Sequence, residues 1–132
     1  MGKILVVDDD KTSRLVLLKT LAQDGHEVLE APTAVRALQM LEEREEPPDL
    51  IISDIVMPFM DGMEFATKVR EDPRLTHTPI LLCTALADRH TVMRAAKLGI
   101  QHYILKPLVP DKVLQQVRSI LADLSKTPAV EE

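Results

Sequence analysis

The chain has 132 residues, 45% of them hydrophobic and 28% charged, the make-up of one folded domain with a buried core and far from disorder. A net charge of −5 argues against a broad electrostatic grip on nucleic acid or an anionic membrane. The single cysteine, Cys83, has no partner for an internal disulfide and lies in the apolar run PILLCTA, where it reads as a small core residue.

The first apolar run, Ile4 to Val7, is too short for a signal peptide, and no stretch approaches the length of a membrane span. Gly2 lacks the Ser or Thr that a myristoylation motif places at position 6, which here is Val. A soluble, cytoplasmic domain is therefore expected.

In chain order, KILVV (3–7) reads as a strand covered on both faces, and Leu15, Leu18, Leu21 and Ala22 predict the apolar stripe of a first helix. Asp24-Gly25 marks a turn, and the more polar EVLEA (27–31) reads as an edge strand. Ala34, Ala37, Leu38 and Leu41 follow the i, i+3, i+4, i+7 spacing of a second helix, whose charged end EEREE (42–46) is expected in solvent before Pro47-Pro48.

DLIIS (49–53) is a third strand. The segment MPFMDG carries loop and turn residues, and Met63, Ala66 and Val69 place a third helix over about 63–71, closed by Asp72-Pro73. PILLCT (79–84) is a fourth strand, followed by a helix with Val92, Ala95, Ala96 and Gly99 on one face. HYIL (102–105) is a fifth strand, and Val113, Val117, Ile120, Leu121 and Leu124 line a last helix. Five β-α pairs predict a doubly wound α/β fold with a parallel sheet, helices on both faces and right-handed crossovers. Residues 1–124 form the domain, and 125–132 read as a tail or the start of a linker.

Asp8, Asp9 and Asp10 follow the first strand directly, and Asp54 follows the third. Ligands of open parallel sheets sit outside the carboxyl ends of the strands, and neighbouring strands lie about 4.8 Å apart. If the first and third strands are neighbours, these carboxylates face one pocket, where they repel one another and need a cation. Oxygen ligands without a Cys or His cluster point to Mg²⁺.

Thr84 ends the fourth strand and Lys106 the fifth. A hydroxyl, an ammonium and a divalent cation around one carboxylate make a site for phosphoryl transfer. Asp10 fits the commoner role of a turn or helix-cap residue. His26, His77, His90 and His102 have no metal-ligand spacing and are expected at the surface.

From about residue 3 to 124 the sequence resembles a response-regulator receiver domain of bacterial two-component signalling. The resemblance rests on Asp8-Asp9, Asp54, MPFMDG, Thr84-Ala85 and YILKP, in that order and each at a strand end. It implies a flavodoxin-like sheet of order 2-1-3-4-5 and a phosphoacceptor, Asp54, that takes a phosphoryl group from a histidine kinase or histidine phosphotransfer protein.

The resemblance further implies Mg²⁺ (or Mn²⁺) held by Asp9, Asp54 and the Val56 backbone carbonyl directly, and by Asp8 through water. Lys106 and Thr84 would contact phosphoryl oxygens, and the small Ala85 would leave room for the group. Thr84 and Tyr103 would be the switch that remodels the face of helix 4, strand 5 and helix 5. Lys106-Pro107 is a candidate cis peptide. A downstream protein partner and a homodimer formed on phosphorylation are consistent with the family, while nucleic acid and membrane are not expected partners. Such a protein signals, catalysing only its own phosphorylation and dephosphorylation. The apolar Val56 and Leu86, which in the family influence access of the attacking water, predict a comparatively long-lived phosphorylated state. With no output domain in view, a stand-alone receiver or a fragment of a longer regulator is expected.

Two other readings compete. VVDDDKT resembles the first motif of haloacid-dehalogenase-type phosphatases, with Asp8 as nucleophile and Asp10 as general acid, but no late Gly-Asp acidic loop accompanies it. A receiver-like binding module that is never phosphorylated would be expected to lack the acceptor, the acidic pair or the Lys, and none is missing.

Overall fold

The computed structural model describes residues 2–85 and 88–126, with side chains as far as Asp123. Leu86, the side chain of Leu124 and the end of the tail thus lie outside the described residues. Five strands, β1 (Lys3–Val7), β2 (Glu27–Ala31), β3 (Leu50–Ser53), β4 (Ile80–Thr84) and β5 (His102–Leu105), form one parallel sheet in the order β2-β1-β3-β4-β5. They alternate with α1 (Lys11–Gln23), α2 (Ala34–Glu43), α3 (Gly62–Glu71), α4 (Arg89–Lys97) and α5 (Pro110–Lys126).

Side chains alternate across the sheet and so define two cores. Ile4, Val6, Leu50, Ile52, Leu81 and Cys83 face α1 and α5, meeting Leu17, Leu21, Val113 and Val117. Leu5, Val7, Ile51, Ile80 and Leu82 face α2, α3 and α4, meeting Ala37, Met63, Phe65, Ala66 and Ala95. The three inner strands are therefore apolar along both faces, and the polar β2 is an edge, as its sequence predicts.

Register decides where the polar residues fall. Val7 lies opposite Ser53 in the β1–β3 ladder, so the next residues, Asp8 and Asp54, leave the sheet abreast. Asp54 N–H still donates to the Val7 carbonyl at 3.0 Å, and Lys106 N–H to the Thr84 carbonyl at 2.9 Å, so each side chain stands on the last rung of its strand.

Three expectations need correction. The buried face of α1 is Ser13, Leu17, Thr20 and Leu21, while Leu15 is 45% exposed. Asp10 caps α1, and two buried hydroxyl residues, Ser13 and Thr20, share with Leu17 and Leu21 the face that an apolar stripe was expected to carry. In α4 the buried residues are Thr91 and Ala95, whereas Val92, Ala96 and Gly99 are exposed. Gly99 lies beyond the helix, with φ 76° and its N–H donating to the Ala96 carbonyl, the usual glycine at a helix C-terminus.

His26 is not a surface residue: its side chain is 5% exposed. Its Nδ1 accepts from Gly2 N–H at 3.0 Å, and its Nε2 lies 3.4 Å from an Asp24 carboxylate that Arg118 of α5 also grips. The N-terminus, the α1–β2 turn and α5 thus converge on one imidazole.

Arg70 is the comparable fastener on the opposite face. Its Nε donates to the Leu98 carbonyl at 2.7 Å, and its Nη1 to those of Thr78 at 2.7 Å and Leu75 at 3.2 Å, joining α3 to the end of α4 and to the approach to β4. Arg70→Ala leaves three part-buried carbonyls without this donor. It is expected to lower unfolding free energy by about 2–4 kcal/mol in urea titrations with an unchanged m-value. A wild-type midpoint would contradict that role.

Candidate functional site

Carboxylate oxygens of Asp8, Asp9 and Asp54 lie within 4.8 Å of one another at the carboxyl edge of β1 and β3. Asp8 and Asp54 are 1% and 7% exposed, and Asp9 is open to solvent. Lys106 reaches across from β5 so that its Nζ lies 2.7 Å from Asp54 Oδ2 and 2.9 Å from Asp8 Oδ2. The sequence placed these four residues at strand ends, and the fold brings them together.

Each carboxylate is also held from its own backbone. Asp54 Oδ1 accepts from Ile55 N–H at 2.6 Å, and Asp8 Oδ1 accepts from Asp10 N–H at 2.9 Å. Asp8 Oδ2 meets the ammonium as an ion pair but without hydrogen-bond alignment, which leaves a buried acceptor with unused lone pairs. Burial raises the Asp8 carboxyl above its ordinary pKa, against the opposing pull of Lys106. For Lys106, burial disfavours the charge, but the hydrogen bond to Asp54 and the attraction of both carboxylates outweigh it and drive its pKa upward. The ammonium thus stays charged.

A buried, under-satisfied oxygen beside two further carboxylates fits a hard divalent cation, so Asp8, Asp9 and Asp54 are the residues that could hold one. Asp10 stands apart. Its carboxylate caps α1, accepting from Ser13 Oγ at 2.8 Å and Ser13 N–H at 3.4 Å, and the Ser13 bond holds it below its ordinary pKa. A general acid needs the opposite shift, which counts against the phosphatase-like reading.

Thr84 is buried at the end of β4, and Ala85 after it is exposed. Tyr103 is half-buried, with its hydroxyl donating to the Ile100 carbonyl at 3.3 Å, and burial raises its pKa. Lys106–Pro107 is cis. Cys83 lies in the core, where burial pushes its thiol up to about 12, so it is no nucleophile. Val56 projects from the β3–α3 loop with 64% exposure.

Two contributors escaped the sequence reading. Arg14 donates from Nη1 to the Asp8 carbonyl at 2.8 Å and from Nε to Glu30 at 2.9 Å, fixing the backbone that carries the acidic pair. Gly62 folds back on the end of β3: its N–H donates to the Ile55 carbonyl at 2.7 Å, and a Cβ there would strike the Asp54 carbonyl and come within 2.7 Å of Ile55 Cα. The Asp-Gly pair in the sequence signalled a turn, and only the fold reveals the close approach. Arg14 had no local signal.

Residues 4–118 match the model of the response regulator receiver domain, and the chain belongs to that family. Receivers of this kind are signalling proteins of two-component and chemotaxis systems. A chemotaxis protein CheY homologue of Campylobacter jejuni is 35% identical over 130 residues, covering 98% of this chain and 99% of the relative. The structure of Vibrio cholerae CheY4 superposes with a TM-score of 0.85 at 32% identity, covering 91% of this chain and 98% of that one. The receiver domain of a histidine kinase from Syntrophus aciditrophicus superposes at 0.84 with 30% identity, over 100% of this chain and 98% of that one. The fold and its 2-1-3-4-5 order are thus those of CheY-like receivers.

Gly62→Ala is expected to cost about 1–3 kcal/mol, because neither backbone at the contact can yield without moving Asp54. Amide NMR shifts should change most at Asp54 and Ile55, and unchanged spectra with wild-type stability would refute the contact.

Proposed function

We propose that this chain is a phosphoacceptor receiver. Asp54 takes a phosphoryl group from the phosphohistidine of a kinase or phosphotransfer protein, and a protein partner reads the result. The observation that carries this reading is the position of Lys106 Nζ, 2.9 Å from Asp8 and 2.7 Å from Asp54. The pair brings a permanent positive charge to a carboxylate that is otherwise poised to attack.

An Asp54 carboxylate oxygen attacks phosphorus as the phosphorus–nitrogen bond to the donor imidazole breaks, and the imidazole leaves with the bonding pair. Lys106 offsets the charge of the arriving phosphoryl oxygens, and the Thr84 hydroxyl hydrogen-bonds one of them. Asp9, Asp54 and the Val56 carbonyl would hold Mg²⁺ or Mn²⁺, with Asp8 behind a water. A bound divalent ion would supply further neutralisation of those oxygens.

The readout is a population shift. Thr84 moves toward the phosphoryl group, Tyr103 turns into the space, and the α4–β5–α5 face changes. That face exposes Val92, Met93, Leu105 and Val109 at 37%, 57%, 58% and 44%, an apolar surface for a downstream partner or a second copy of the chain. Residues 1–124 act as the receiver unit, in the cytoplasm. Among the described residues no helix is long and apolar enough to cross a membrane.

Intact-protein mass after incubation with acetyl phosphate and Mg²⁺ tests the reading. Wild type should gain one phosphoryl group, and Asp54→Ala none. Labelling that survives Asp54→Ala and disappears in Asp8→Ala would favour phosphatase-like chemistry instead. No labelling of folded wild-type protein would contradict the phosphoacceptor reading.

A further inference from the structure

The chain has two phenylalanines, and they are treated oppositely. Phe65 projects from α3 and is fully buried in the core. Phe59 is 91% exposed, the most exposed large apolar side chain among the described residues. It is also the only non-glycine residue among them with positive φ, at 71°.

Met60 N–H donates to the Pro58 carbonyl at 2.8 Å, which makes Phe59 the centre of a tight γ-turn. That turn is rare and strained with positive φ, and for a bulky side chain the conformation is an outlier. A glycine would fit the turn without strain, and a polar residue would suit the solvent. Neither local backbone preference nor folded-state burial accounts for an aromatic ring here.

The position of the ring supplies the missing contact. The loop from Val56 to Asp61 is pinned at its base by the bond between Gly62 N–H and the Ile55 carbonyl, 2.7 Å, immediately beside Asp54. Phe59 stands four positions along the chain from Ile55, a reach of at most roughly 14 Å. Val56, on the same loop, adds a second exposed apolar side chain. Asp54 is recessed, at 7% exposure, so a protein that delivers a phosphoryl group to it must press its own surface onto this rim.

We propose that Phe59 is the aromatic anchor by which the phosphodonor protein docks. The partner surface carries apolar side chains beside its phosphohistidine, within the reach of at most roughly 14 Å that the loop allows. The ring inserts among those side chains while the imidazole faces Asp54. Because the γ-turn holds the ring out in advance, little ordering is needed at encounter. This inference rests on the phosphoacceptor reading and adds to it the residue that selects a protein donor over a small one.

The test compares two donors for wild type, Phe59→Gly and Phe59→Leu. One donor is acetyl phosphate. The other is the histidine-phosphorylated domain of whichever kinase of the same organism phosphorylates wild type fastest. Phe59→Gly should keep the wild-type rate with acetyl phosphate and lose about tenfold or more in kcat/KM with the protein donor, the scale of an interface anchor. Phe59→Leu should recover part of the loss. Equal rates for wild type and Phe59→Gly with the protein donor would overturn the proposal, and so would an equal fall with both donors. Wild type that takes nothing from acetyl phosphate or from any phosphohistidine would overturn the phosphoacceptor reading itself, and the dock with it.

Discussion

Two carboxylates that should repel leave the sheet side by side, and one ammonium joins them. The β1–β3 register puts Asp8 and Asp54 abreast, and Lys106 arrives from β5 to within 2.9 and 2.7 Å of them. Much of the surrounding structure serves that contact. Arg14 fixes the Asp8 backbone, Ile55 N–H orients Asp54, and Gly62 lets the loop before it close against Asp54. Asp8 and Asp54 follow inner strands and Lys106 follows the edge strand β5, so the site lies at the carboxyl ends of the strands, where ligands of this type of fold bind.

Much of this was legible in the sequence, because the relevant signals are local. The inner strands read as unbroken apolar runs since both faces are covered, and each site residue directly follows such a run. Asp54 and Lys106 are 52 residues apart, yet both could be placed from the strands that precede them. The strand order itself came from family resemblance, since β-α alternation fits more than one order.

What stayed hidden depends on distant contacts or on the phase of a helix. Ser13, Thr20 and Thr91 occupy buried helix positions where apolar side chains were expected, and Leu15 and Val92 face solvent. Hydroxyl residues can be buried once the fold offers partners, and periodicity alone does not register them. His26 looked like a surface residue because what buries it comes from Gly2 at the N-terminus and from Asp24 of the adjoining turn, itself gripped by Arg118 of α5. Phe59 was visible only as one letter of MPFMDG, and its exposure and positive φ appear only in three dimensions.

Asp8 and Asp54 form a charged pocket left incompletely balanced by Lys106, so that folding bears a cost a divalent cation can relieve. The most direct measurement is thermal unfolding of wild type and Asp8→Asn across a Mg²⁺ titration. Asp8→Asn should melt above wild type without Mg²⁺, because a buried charge has been removed, and rising Mg²⁺ should narrow the gap by stabilising wild type more. An Asp8→Asn protein that melts below wild type without the ion, or gains as much from Mg²⁺, would contradict it.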